Sequence, residues 1–154
     1  NIVILFNFFP NYLLLCADEP ERFDEVLKRA LITAEAFDFK HLHPAVFINT
    51  YISAAQGYIA QKRNNKALDM LEKYTEIVTG DIYPLRLQGD HFFDLLDEWL
   101  DELDLGIQLP RDEKTIKQSM TDVIVNNPAF AVLSGDSRFQ TIIEKLKNNC
   151  QEVL

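Results

Sequence analysis

The sequence is short of basic charge, of cysteine and of uninterrupted apolar runs, and each shortage excludes a class of function. Fifteen Lys and Arg stand against 24 Asp and Glu, for a net charge of −9. No cluster of basic residues with interleaved aromatics relieves this locally. A chain of that sign repels a phosphate backbone, so direct nucleic-acid binding is not expected of it. The two cysteines, Cys16 and Cys150, lie near opposite ends. No secretion signal accompanies them, so they are expected as reduced, partly buried thiols in a cytoplasmic protein. The apolar run Ile2 to Leu15 is interrupted by Asn7, Pro10 and Asn11. It is shorter than the roughly 20 apolar residues that span a bilayer, and a buried first helix broken at Pro10 is expected in place of a membrane segment. The chain opens without Met inside this stretch, and is expected to be a piece of something longer.

Catalytic and metal-binding patterns are missing as well. There is no glycine-rich phosphate loop, no nucleophile elbow and no pair of His at metalloprotease spacing. His41 and His43 lie two apart at a helix boundary, with no Cys or third His nearby. A cap or surface pair is expected of them, and no metal. His91 stands beside Asp90 and Asp94, which have simpler roles as a helix cap and a complement to the helix dipole. Neither an enzyme nor a cofactor is expected.

What the sequence does contain is helical periodicity. With 154 residues, 47% of them apolar and 25% charged, the chain has the size and balance of one globular domain spanning 1–154. Five Gly and six Pro sit mostly where helices should start or stop. Asp18-Glu19-Pro20-Glu21 reads as a cap and a first turn. The face Phe23, Val26, Leu27, Ala30, Leu31, Ala34 and Phe37 then predicts a helix of about five turns. His41-Leu42-His43-Pro44 breaks it, because proline bars the residue before it from helical geometry. A helix from Ala45 to Gln61, a turn at Asn64-Asn65 and a helix with Ala67, Leu68, Leu71, Tyr74, Ile77 and Val78 on one face predict an αα-hairpin over 45–80, closed by Gly80 as a left-handed cap.

Beyond a connector with Pro84 and Gly89, a helix is expected from Phe92 to Leu103. Its apolar stripe includes Trp99, and its acidic face is expected to be solvated and without calcium. Asp112 opens a helix with Ile116, Met120, Val123 and Ile124 inward, stopped by Asn126-Asn127-Pro128. A short helix through Phe130 and Leu133 follows. The last helix starts at Asp136, with Phe139, Ile142, Ile143 and Leu146 inward. No period-2 strand pattern occurs, so the fold class expected is all-α.

The hairpin from Tyr51 to Tyr74 resembles a tetratricopeptide repeat. Tyr51 and Tyr58 take its aromatic positions, Ala54, Ala55 and Ala67 the leucine and small positions, and Leu71 and Tyr74 the later core positions. Small residues let two helices approach, and aromatics fill the space between hairpins. Lys62 stands where the turn glycine is usual, and Thr79 where the terminal proline is usual. The segment 11–39 matches as a degenerate hairpin. The resemblance implies an α-solenoid, a right-handed superhelix of antiparallel helix pairs.

A second resemblance covers the C-terminal helices over 90–148. Asp81-Ile82-Tyr83-Pro84-Leu85-Arg86, the run Phe92 to Leu100, Asn127-Pro128-Ala129-Phe130 and Asp136-Ser137-Arg138-Phe139 resemble the tail of bacterial Xre-type (Cro/cI-like) regulators. In those proteins a helix-turn-helix precedes a helical-repeat regulatory domain. This resemblance implies a sensing and dimerising domain that binds a peptide or protein and forms a homodimer. It would reach DNA only through an N-terminal domain missing from this chain. The repeat positions that would face its concave groove are Asn49, Ile52, Ser53 and Gln56, whose amides suit an extended peptide backbone. The alternative is a structural interaction scaffold with no small ligand.

Overall fold

A computed structural model describes residues 2–83, 91, 94–95 and 112–151. Among the described residues all regular structure is helical and no strand occurs. The helix expected over 92–103, with its acidic face and Trp99, lies outside the described residues apart from Asp94 and Leu95, which are exposed. The expected Asp90 cap and the connector from Pro84 to Gly89 also lie outside them.

The first helix, α1, runs from Ile2 to Leu15 straight through Pro10. The expected break is therefore not made. Proline removes one backbone bond and costs a helix interior roughly 3 kcal/mol. Phe6 and Leu13 are buried to 2% and 0% exposure on the inward face, and their burial against the next hairpin offsets that cost. The opposite face stays open, with Ile4, Phe8, Leu14 and Leu15 exposed, so α1 is half-buried and not an enclosed core helix.

Helix α2 spans Pro20–Ala36 with proline in its first turn, as expected. Its N-cap is Glu19 and not Asp18, and no side chain caps it. The Glu19 carboxylate binds Arg22 at 2.8 Å instead. The helix also stops earlier than the proline signal suggests. Asp38 takes a left-handed conformation, φ 47°, which Asp tolerates better than most side chains. This turn leaves Phe37 exposed and sends Phe39, at the start of the short α3 (Phe39–Leu42), into the core.

Helices α4 (Ala45–Ala60) and α5 (Asn64–Val78) form the expected antiparallel hairpin and share the most extensive contact among the described helices. Ala54, Ala55 and Ala67 are all 0% exposed, which is how small side chains bring two axes together. Lys62, in the turn, has φ 59°. It occupies the left-handed conformation that the usual glycine would adopt freely. Gly80 does not serve as a left-handed cap. Thr79 ends α5, and the Gly80 amide donates to Ile77 O at 3.0 Å. What a side chain would meet at Gly80 is the Glu76 carbonyl, 3.1 Å from an added Cβ.

After the undescribed segment, α6 (Glu113–Val125) is capped by Asp112, which accepts from Thr115 N at 2.7 Å. Its inward face differs from the expectation at two positions: Val123 is exposed and Thr121 is buried. The Thr121 hydroxyl is satisfied there by Leu146 O at 3.2 Å and the Cys150 thiol at 3.1 Å. A 3-10 helix, Pro128–Leu133, turns the chain under α4. Helix α7 (Ser137–Gln151) then packs on α6 and α5, burying Phe139, Ile142 and Leu146. Tyr74, fully buried on α5, donates to Met120 O of α6 at 2.7 Å. Both thiols are free; Cys16 is buried and Cys150 half-buried. No described helix is long and apolar enough to cross a membrane.

Two substitutions test this packing. Lys62→Gly relieves a left-handed backbone that costs an L-residue roughly 1–2 kcal/mol, partly offset by glycine entropy, so stability is expected to rise by about 0.5–1 kcal/mol. Gly57→Ala drives a Cβ into the buried Phe23 ring. Overpacking of roughly 1–3 kcal/mol against a helix-propensity gain of about 1 kcal/mol gives an expected net loss. Urea unfolding midpoints read both, with Gly135→Ala as the control, since an added Cβ there meets nothing within 4 Å.

Candidate functional site

Helix α4 is the central element, touched by α1, α2, α3, α5 and the 3-10 helix. Nine of its residues, from Val46 to Tyr58, are buried. The stripe Asn49, Ile52, Ser53 and Gln56 is left open: Asn49 is exposed and the other three are half-buried. Helical spacing explains the stripe, since positions three and four apart share a face. These are the residues that repeat resemblance singles out.

Asn49, Ile52 and Ser53 line a hollow of about 360 Å³ with Asn7, Pro10 and Asn11 of α1. Gln56 shares their face but not the lining. No ionisable side chain borders this hollow. The side chains of Asn49, Ser53 and Gln56 form no hydrogen bond to another described residue, so their donors and acceptors are open to a visitor. Asn11 is partly engaged, donating to Asn7 O at 3.3 Å.

A second hollow, about 350 Å³, opens about half a helical turn around α4, between the end of α2, α3 and α5. Its floor is Tyr51, 7% exposed, with the Phe47 ring 5.8 Å away. Glu35 of α2 and Glu76 of α5 stand on its walls. Burial first, then the charges of Glu35 and Glu76, push the Tyr51 phenol up to about 12. The wall residue Asp38 is held by His41 Nδ1 at 2.8 Å. Lys40 and Lys73 complete the charged lining. Sequence spacing alone does not join Glu35, Tyr51 and Glu76, because they come from three helices.

Two charged clusters lock the helices around these hollows. Asp24, on the flank of the buried face of α2, binds Arg63 through both carboxylate oxygens, Lys66 Nζ at 2.9 Å and the Tyr58 hydroxyl at 3.0 Å. Burial raises the Asp24 carboxyl, but hydrogen bonds from Arg63, Lys66 and Tyr58 outweigh it and bring the group down to about 2. Arg63 also lies over the Tyr58 ring, 4.8 Å from its centroid. At the other end, Arg138 of α7 grips Glu72 through two nitrogens, at 2.9 and 2.8 Å, and Asp69 at 2.6 Å, both on α5. The signal for Asp24 in the sequence is faint: a single acid beside Phe23, next to positions that face inward.

His41 is exposed and bound to Asp38, while His43 is half-buried and its pKa is lowered by that burial. Among the described residues no three of His, Cys, Asp and Glu stand together as a metal site. His91 is exposed. Comparison of the chain with protein families, with curated proteins and with solved structures gives no match.

The Asp24 cluster carries a pH signature. The folded carboxyl lies near 2 against an ordinary 3.8. Its contribution is therefore present above pH 4 and lost as pH falls toward 2. The side chain is 36% exposed, and solvent screening reduces the contribution to about 1 kcal/mol. Asp24→Asn is expected to lose about that much stability at pH 7 and nothing relative to the parent chain near pH 2, as read by urea titrations at the two pH values.

Proposed function

We propose that this chain is a regulatory binding module whose open stripe on α4 takes an extended peptide or a segment of a protein partner. The observation that carries the reading is the contrast on one helix. α4 is enclosed on most sides, yet the stripe it leaves uncovered holds Asn49, Ser53 and Gln56 with unused hydrogen-bonding groups. Amide side chains pair with a peptide backbone by one donor and one acceptor each. An uncharged lining selects for backbone and small side chains over strongly charged ones.

The wider reading is a tetratricopeptide-like solenoid from a bacterial Xre-type transcription regulator, acting in the cytoplasm as a homodimer. DNA would be contacted only by a helix-turn-helix domain elsewhere in a longer protein. Support comes from the contacts of α1 with α2 and of α4 with α5, each pair joined by a short connection, and from the contact of α1 with α4, the first helix of one pair with that of the next. The net charge of −9 is in keeping with a domain that leaves DNA contact to another. A partner held between α1 and α4 would bias their relative position, and through α2 and α5 the rest of the stack.

A second reading, an interaction scaffold without a small ligand, is favoured by the outer face of α1. Ile4, Phe8 and Leu15 are exposed at intervals of four and seven residues, which places them on one stripe. Exposed apolar surface of this kind is what partner interfaces cover.

A display library of random peptides, selected on the full chain, separates the two. The peptide reading expects an enriched set whose affinity falls about five- to tenfold with Asn49→Ala or Gln56→Ala, the effect of one hydrogen bond of about 1 kcal/mol. Enrichment that ignores both substitutions, or no enrichment by a folded chain, removes it. The scaffold reading expects instead a dimer or complex that Phe8→Glu disrupts in sedimentation.

A further inference from the structure

We propose that the hollow between α2, α3, α4 and α5 is a second binding site, which takes one alkylammonium group between Glu35, Glu76 and the Tyr51 hydroxyl. The site lies on the side of α4 away from the Asn49 stripe and does not depend on what that stripe binds.

The key group is the Tyr51 hydroxyl. Its residue is more than nine-tenths buried, while the hydroxyl itself reaches the open space of the hollow, because among the described residues every buried side-chain oxygen is hydrogen-bonded. The hydroxyl of a tyrosine whose ring is buried ordinarily finds a partner. The neighbours of Tyr51 illustrate the rule. Tyr58 donates to Asp24 at 3.0 Å, Tyr74 to Met120 O at 2.7 Å and Tyr83 to Val78 O at 2.8 Å. Tyr51 has no hydrogen-bond partner among the described residues and faces the hollow it floors. The carboxylates of Glu35 and Glu76 are also without a hydrogen bond or ion pair there, although Lys73 lies on the same wall. Three oxygen groups from three helices, two of them exposed carboxylates, thus border one hollow without a partner among the described residues.

The chemistry of the occupant follows from this arrangement. An ammonium has three donors and no acceptor, which matches two carboxylates and a phenolic oxygen. The Tyr51 proton is then free to point to a carboxylate. The Phe47 ring beside Tyr51 gives an alkyl stem an apolar wall. The remaining charges set a limit on the rest of the molecule. Asp38 is occupied by His41, whereas Lys40 and Lys73 are unpaired on the lining. A second positive charge would meet these lysines, so the site takes a monocation with a neutral or acidic remainder and disfavours a polyamine. Two sources fit that description: a lysine side chain within a polypeptide, or a small free amine.

The full chain, carrying ring-labelled tyrosine and observed by NMR, tests the proposal, with Tyr51→Phe identifying the Tyr51 signals. The probes are Nα-acetyl-lysine methylamide, n-butylamine, spermidine, and Nα-acetyl-norleucine methylamide as a stem without the ammonium. The expected result is a saturable shift of the Tyr51 ring signals by the first two probes and none by the norleucine control. Affinity should fall about tenfold in Glu76→Gln and in Glu35→Gln, fall more modestly in Tyr51→Phe, and hold or rise in Lys73→Ala. Tighter binding of the acetyl-lysine compound assigns a peptide-borne lysine, and equal binding of both amines assigns a free amine. Unmoved Tyr51 signals, equal shifts with norleucine, tighter binding of spermidine, or indifference to Glu76→Gln each overturn the proposal. Unchanged backbone spectra of the variants confirm that the fold is kept, and peptide binding at Asn49 is expected to be unaffected.

Discussion

The enclosure of α4 is the constraint on which the rest of the structure depends. A helix met by α1, α2, α3, α5 and the 3-10 helix must be apolar on most of its circumference, and it must be thin where its neighbours come closest. Both demands are met in one sequence. Val46, Phe47, Ile48 and Tyr51 fill the wide places, and Ala54, Ala55 and Gly57 occupy the narrow ones. Gly57 gives way to the Phe23 ring of α2, and Phe23 in turn meets the Tyr58 ring at 5.0 Å. One small residue therefore sets the distance at which α2 lies, and with it the place where Asp24 can reach Tyr58, Arg63 and Lys66.

Much of this was legible in the sequence, and the reasons differ by element. The α4–α5 pair reads clearly because its apolar face at helical spacing is a local signal, although the turn falls at Gln61 to Arg63 and not at the expected Asn64-Asn65, which begin α5. The helix start at Asp112 reads clearly too, with its carboxylate accepting from the Thr115 amide, whereas Asn127, expected only as part of a stop, also caps the 3-10 helix through the Ala129 amide. The misjudged places are those where a distant contact overrules a local preference. Pro10 should stop a helix, but the packing of Phe6 and Leu13 carries α1 past it. Asp38 has little reason to adopt a left-handed backbone until the burial of Phe39 is considered. Val123 and Thr121 exchange roles because α7 offers the Thr121 hydroxyl two partners. The open stripe on α4 was legible because it is a property of one helix. The Tyr51 hollow was not, because its walls come from residues 35, 51 and 76.

The C-terminal pattern Asp136-Ser137-Arg138-Phe139 shows how one short segment serves three physical purposes. Asp136 accepts from the Arg138 amide at 2.8 Å and begins the helix. Arg138 reaches back to α5, where two hydrogen bonds hold the Glu72 carboxyl below its usual range. Phe139 enters the core at 8% exposure. The guanidinium fork fixes direction as well as proximity, because its planar geometry matches a carboxylate edge. The rotation of α7 about its axis is thus set at its first turn, and Asn149 near its other end donates to Val78 O at 3.0 Å.

The first helix, like α4, has no ionisable side chain apart from tyrosine. Its attachment to α4 rests on shape and on water exclusion, which change little with proton or salt concentration. The attachments of α2 to α5 and of α5 to α7 run through Asp24 and through Glu72 with Asp69, and these weaken as carboxylates gain protons. The response to acid is therefore built unevenly into the molecule's charge distribution. Acid loosens these lateral clamps, while the α1–α4 seam and the α4–α5 pair, which rest on apolar packing, respond little.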